Sequence, residues 1–351
     1  MKTIKIGNKN IGIDLPVFFI AEAGVNHNGS LKIALKMVDV AKKAGADAIK
    51  FQTFKTSNLI LPNAPKSKYH IETTGNDKKQ TWFDLLKTQE LSYQMHKKII
   101  EYCKRRKIIF LSTPYDEESV DMLEKFKIKA YKVASTDNNN IPLLRYIAKK
   151  GKPMFISTAM ANIREVQEAV RCVKKYIPTK FVLMQCTGNY PSKNLDSNLK
   201  VMLTYKKKFG CLYGYSDHTL DFINPGAATA LGASVYEKHF TLDASDKGPD
   251  SEFSLEPDQL NRLCVECKSA WEALGSAGYE RKPAEKDSVK FRRSIYVVED
   301  IDSGGILTEE NIRRIRPGYG LPPKYFNELI GKRVKSRVEK GTPLDWDMLE
   351  K

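Results

Sequence analysis

The chain has 351 residues, of which 41% are hydrophobic and 28% charged, and no apolar stretch approaches the roughly 20 residues of a membrane helix. That balance excludes a disordered or membrane-embedded protein, and the length predicts one large and one small domain. The formal charge of +16, from 58 Lys plus Arg against 42 Asp plus Glu, is interleaved with acids on helix faces such as MHKKIIEYCKRRK, so it predicts a solvated basic surface that attracts a small polyanionic substrate, with no nucleic-acid partner.

The N-terminal stretch MKTIKIGNKNIGIDLPVFFIAEAG lacks a charged segment followed by an unbroken apolar run, and the six cysteines are scattered. Both features predict a cytoplasmic protein with reduced thiols. From residue 17 to 240, short β-branched or aromatic runs alternate with amphipathic helical stretches, the pattern of βαβ units. The expected strands cover 17–23, 47–53, 107–113, 129–135, 153–158, 180–186, 211–217 and 234–240. Eight such repeats predict an α/β fold of the (β/α)8 TIM-barrel type over residues 1–280. Residues 54–90 form an overlong second loop at the face where such loops act as lids. Cys264 and Cys267 form a CxxC, but within an apparent helix, where packing rather than zinc binding is expected. Residues 281–290 read as a polar linker, and 291–351 as a compact domain of short strands and turns.

Active sites of such barrels gather at the C-terminal ends of the strands. Here every expected strand ends in polar or ionisable residues, including Glu22, Asn26 and His27 after the first, and Lys50 and Gln52 on the second. Lys50 and Lys132 interrupt apolar strands, where a lysine is costly unless it meets an anion. Thr113, Ser135, Ser157 and Ser216 are then candidate donors to phosphate, with capping of the following helices as the competing role. His218 and His239, two of only five histidines, end neighbouring strands and could converge on a divalent ion that keeps open positions for substrate. His70 and His96 receive no such role.

The motifs IAEAGVNHNGS, DAIKFQTF, LSTPYD, AYKVASTDNNN, QCTGNYP, GYSDHT, EKHFTLD, GPDSEFSLEP and RIRPGYG, in this order, resemble the sialic acid synthase family over almost the whole chain. The resemblance implies an antifreeze-like (SAF) β-clip cap at the C-terminus. It also implies condensation of phosphoenolpyruvate with an N-acetylated amino sugar, N-acetylmannosamine or a 2,4-diacetamido-2,4,6-trideoxyhexose, aided by Mn2+ or else Mg2+ or Co2+. Under it, Lys132, Thr113, Ser135 and Ser157 hold the phosphate, Lys50 and Ser216 the carboxylate, and His218 and His239 the metal. Glu22 then sits by the aldehyde and the attacking water, and Gln52, Asn76, Tyr190 and Asp250 contact the sugar. Arg316 reaches over the sugar from the cap of a partner in a domain-swapped homodimer. Gly188 stands where the family pattern allows asparagine, with Asn189 beside it, and Asp137 replaces a frequent glutamate. The cap motif RIRPGYG favours a nonulosonate product over the related heptulosonate and octulosonate condensations, and over a non-catalytic carbohydrate-binding protein.

Overall fold

The computed structural model describes residues 3–75, 80–246 and 248–350. Internal packing divides the chain into two units, Met1–Gly275 and Ser276–Lys351.

The first unit opens with an antiparallel hairpin, β1 (Ile4–Ile6) and β2 (Lys9–Ile11). Eight parallel strands follow: β3 (Phe18–Gly24), β4 (Ala48–Thr53), β5 (Ile109–Pro114), β6 (Tyr131–Val133), β7 (Met154–Ser157), β8 (Phe181–Cys186), β9 (Leu212–Asp217) and β10 (Val235–His239). They form one sheet in the order β5-β4-β3-β10-β9-β8-β7-β6. Its end strands β5 and β6 lie side by side, so the sheet curls into a barrel. Each strand falls within two residues of its expected span.

Strand alternation sorts the side chains into two cores. Phe18, Ile20, Ala48, Leu111, Phe155, Val182 and Val235 form one buried cluster inside the barrel. Their neighbours Phe19, Ala21, Ile49 and Phe51 belong to the larger cluster beneath the helices. Each such large side chain contributes about 1.5–3 kcal/mol through burial. The helix Leu31–Ala44 shows how the outer layer is specified. It begins at Ser30, whose hydroxyl accepts from the Ile33 N–H, buries Ala34, Met37, Val38 and Ala41 on one face, and stops at Gly45 with φ 95°.

Two features of this unit differ from the sequence reading. The hairpin was not expected, and its Ile4, Ile6 and Ile11 join the inner cluster and close the lower end of the barrel. The long second loop carries three short helices, Thr56–Leu59, Lys68–Thr74 and Trp82–Lys87, too brief to show a clear helical period.

The second unit pairs β11 (Ser294–Val297) antiparallel with β12 (Ile312–Ile315) over a core that includes Ile295, Val297, Leu307, Leu329, Val334 and Leu344. The segment read as a linker holds two 3-10 turns, Pro283–Glu285 and Asp287–Phe291, and the packing division falls earlier, after Gly275. Among the described residues all six cysteines are free thiols, with Cys267 packed in the large core, and no helix is long and apolar enough to cross a membrane.

Candidate active site

The alternation that turns Ile20 and Phe155 into the barrel also turns in one residue near the C-terminal end of every strand: Glu22, Lys50, Thr113, Lys132, Ser157, Cys186, Ser216 and Glu237. All eight are buried. Lys50 Nζ lies 2.8 Å from Glu22 Oε1 and 3.5 Å from Glu237 Oε1, and donates to Thr113 Oγ1 at 3.3 Å. Lys132 Nζ donates to Ser157 Oγ at 2.6 Å and lies 3.6 Å from Glu237 Oε1. Ser216 Oγ donates to that same oxygen at 3.0 Å. Glu237 Oε1 thus holds both lysines, while Glu22 Oε2 and Glu237 Oε2 are buried with no hydrogen-bond partner.

Burial is the largest influence on these charges. It pushes the Glu22 carboxyl up, and although Lys50 pulls it back, nearby Glu237 adds to the rise and the pKa settles at about 7. Burial also lowers Lys132 below the usual lysine value, against the pull of Glu237. Lys50 is pushed down by burial but, held by Glu22 and Glu237, ends above its ordinary value. With Glu22 protonated the cluster carries one more cation than anion, the charge balance that draws in an anion.

The hydroxyls are not engaged in capping. The helices after β5, β6 and β7 are capped by Asp116, Asn140 and Asn162. Ser135 instead accepts from the Ala159 N–H at 3.0 Å on the neighbouring loop and lines a cavity of about 260 Å³ with Asn138 and Met160. Thr113 belongs to the Lys50 end of the cluster rather than to Lys132.

His218 and His239 stand with ring centroids 5.4 Å apart, against Tyr190 and Phe253. His218 Nδ1 donates to the Thr187 carbonyl at 2.9 Å, because a carbonyl can only accept, so Nε2 is the nitrogen that offers a lone pair when the ring is neutral. Burial, followed by His218, holds His239 neutral with its pKa well below the usual value, and its Nδ1 is buried without a hydrogen-bond partner. Among the described residues no cluster of three or more His, Cys, Asp and Glu side chains is assembled around a metal position. The two imidazoles with free nitrogens therefore fit an ion that takes its other ligands from water or substrate. Burial pushes the Cys186 thiol up and His218 down, yet at 3.8 Å from His218 Nδ1 the two attract, so Cys186 ends below and His218 above its ordinary value.

A cavity of about 370 Å³ joins His239 to Gln52, Tyr190 and Asp250, which brings three of the sugar candidates beside the histidines. Gly188 and Asn189 line it too, as do Ser67 and His70 from the long second loop. Burial raises the Asp250 carboxyl to about 6. Gly24, at φ 50°, is required here: a Cβ would come within 2.7 Å of Asp250 Oδ2 and 3.3 Å of His239 Nδ1.

Other candidates lie elsewhere. Asn26 donates to the Phe240 carbonyl and to Ser254 Oγ, both at 2.8 Å, and so ties the loop after β3 to the segment after β10. His27 accepts from the Gly29 N–H at 3.0 Å, within its own loop. Asp137 Oδ1 accepts from Asn140, and Asn189 Nδ2 donates to the Pro191 carbonyl. Asn76 lies outside the described residues. Arg316 is exposed in the second unit, directly after β12. Sequence reasoning missed Glu237 and Cys186. Their signal was parity: Glu237 precedes His239 by two residues in one strand, and so shares its face.

A barrel with buried lysines and carboxylates gathered at the C-terminal ends of its strands places the chain among enzymes of the (β/α)8 class, whose active sites lie at that face. The NeuB family model matches residues 37–279 and the SAF domain model residues 292–350. N,N'-diacetyllegionaminic acid synthase of Legionella pneumophila is 38% identical over 351 residues, covering 98% of each chain. Pseudaminic acid synthase of Campylobacter jejuni is 38% identical over 341 residues, covering 97% of this chain and 98% of the relative. The structure of N-acetylneuraminic acid (sialic acid) synthetase from Leptospira borgpetersenii superposes with a TM-score of 0.71 at 34% identity, covering 83% of this chain and 96% of that one. The chain belongs to the NeuB family, with a C-terminal SAF domain.

Proposed function

We propose that the chain joins C3 of phosphoenolpyruvate to the aldehyde carbon of an N-acetylated amino sugar, giving a nine-carbon 2-keto acid and phosphate. The observation that carries this reading is the pair of buried lysines set among hydroxyls beside two histidines, because a small molecule bearing both a phosphate and a carboxylate would satisfy both lysines. Lys132, Ser157 and Ser135 hold the phosphate, with Thr113 between it and Lys50, and Lys50 with Ser216 holds the carboxylate. C3 attacks the aldehyde carbon, whose oxygen takes up a proton to become a hydroxyl; water adds at C2, and phosphate leaves as its C2–O bond breaks and the new C2 hydroxyl gives up its proton to form the ketone. Glu22, with a pKa near 7, accepts the proton of that water. A divalent ion on His218 and His239, Mn2+ or else Mg2+ or Co2+, supplies Lewis-acid polarisation of the aldehyde oxygen when bound.

Gln52, Tyr190 and Asp250 contact the sugar in the cavity they share. Arg316 is contributed by the SAF domain of the partner in a two-fold homodimer, so that each site takes its barrel from one chain and its cap from the other. The free thiols suit a reducing cytoplasm. The relatives support N-acetylmannosamine and the diacetamido-trideoxyhexoses equally as acceptors.

The test is phosphate release from phosphoenolpyruvate with each of these sugars and with phosphorylated aldehydes. Release with an acetamido sugar is expected; release with phosphorylated aldehydes alone would turn the reading toward a heptulosonate-type synthase. The dimer is tested by mixing Glu22→Ala with Arg316→Ala under subunit exchange. With random mixing, half the dimers are mixed and each has one intact site, so activity should recover to about a quarter of wild type. No recovery, with exchange confirmed by a tag, would refute the shared site.

A further inference from the structure

The outer face of β9 and β10 carries a second buried ionic group, away from the barrel interior. Asp217 and Lys238 are paired in the β9–β10 ladder, and their side chains are fully buried with Lys238 Nζ 3.0 Å from Asp217 Oδ2. Tyr236 OH donates to the same oxygen at 2.6 Å. Asp217 Oδ1 accepts from the Thr219 N–H at 2.9 Å and from Thr219 Oγ1 at 2.8 Å, and Lys238 Nζ donates to the Thr219 carbonyl. No oxygen of Asp217 is left unpartnered.

A buried ion pair is a poor stabiliser, because desolvation offsets most of its Coulomb energy and apolar replacements are often neutral. Its placement is therefore the informative feature. Asp217 directly precedes His218, Thr219 directly follows it, and Lys238 directly precedes His239. The network holds His218 by the residue on either side and ties that grip to the strand that ends in His239. The backbone after it is held as well, since the His218 carbonyl accepts from the Ser192 N–H at 2.8 Å.

We propose that Asp217 and Lys238 are positioning residues that fix the spacing of His218 and His239 for their metal ion. The inference rests on the two-histidine reading above. It is a role in geometry: neither side chain faces the barrel interior, and neither touches substrate.

The test is a titration of metal-stripped protein with Mn2+, following the free ion by electron paramagnetic resonance, alongside phosphoenolpyruvate binding without metal and thermal unfolding. The double variant Asp217→Asn/Lys238→Met removes both charges while the amide oxygen keeps its acceptor role. It is expected to bind Mn2+ about 10- to 100-fold more weakly, the usual effect of losing support behind a metal ligand, with phosphoenolpyruvate affinity unchanged. A double variant that folds and binds Mn2+ like wild type overturns the inference. Tyr236→Phe, which loosens Asp217 but keeps the ion pair, should weaken Mn2+ about threefold. If the double variant does not fold, Tyr236→Phe decides, and unchanged affinity there overturns the proposal. Wild-type protein that binds no Mn2+ would sink the metal reading itself, an outcome distinct from equal binding by wild type and variant.

Discussion

On the inner face of β9 and β10, Ser216 and Glu237 meet Lys50 and Lys132 in a cluster that leaves Glu22 Oε2 and Glu237 Oε2 without partners. On the outer face of the same strands, Asp217 and Lys238 meet Tyr236 and Thr219 with every carboxylate oxygen engaged. Both groups bury lysines and carboxylates at similar depth. The difference is satisfaction: the outer group is complete within the fold, while the inner one keeps unmatched polar atoms and a shifted carboxyl. Unpaired buried polarity is what a substrate or an ion completes, so the inner cluster reads as a site and the outer one as scaffold.

The strongest way to break this comparison is to remove the metal. Chelation should reduce turnover to about a hundredth or less, and added Mn2+ should restore it, since Lewis-acid assistance is worth several kcal/mol. Full activity in protein shown to be metal-free would contradict it.

Lys132→Met comes next. Losing one partner of a buried, hydrogen-bonded charge costs about 2–5 kcal/mol, so phosphoenolpyruvate affinity should fall roughly a hundredfold or more while circular dichroism stays native. An unchanged dissociation constant, measured by calorimetry, would place the phosphate elsewhere.

Gly24→Ala addresses the boundary between the cluster and the sugar cavity. Its left-handed backbone would cost an alanine about 1–2 kcal/mol, and the new methyl would press on Asp250 and His239. About a tenfold loss in kcat/KM is expected, with a smaller fall in melting temperature. Wild-type kinetics would show that Asp250 and His239 can shift without consequence.

The smallest effect concerns Glu22. Its pKa is raised from 4.5 to about 7, so between those values the folded chain holds a proton that the unfolded chain has released. Stability of the ligand-free protein therefore falls as pH rises through that window. Glu22→Gln should flatten that slope in denaturant unfolding at pH 5 and pH 8. Turnover should rise with pH through about 7 as the carboxylate form appears. An identical stability slope in Glu22→Gln would mean that another group carries it.

Much of this was legible in the sequence. Strand and helix alternation depends on local periodicity, which is written in the sequence, and so the barrel, its strand spans and the rim holding Lys50, Lys132, His218 and His239 could be read directly. The N-terminal hairpin could not, because three-residue strands have too few positions to show a period, and what holds Ile4, Ile6 and Ile11 is the barrel floor they meet.

Tertiary structure also decided the meaning of residues that look alike in the chain. Lys50 and Lys238 both interrupt buried strands, and Asn26 and His27 stand at a strand end just as Gln52 does. Moving one residue along a strand turns a side chain to the opposite face, and which face is the interior is fixed only when the sheet closes and its register is set. Closure turned Glu237 and Cys186 into the site and Lys238 out of it, and it directed Asn26 to the Phe240 carbonyl. The sequence by itself determined which chemical groups arrive at the barrel mouth. Which of them meet, and which of their atoms are left for a ligand, was decided by packing between strands far apart in the chain, because those contacts have no local signature.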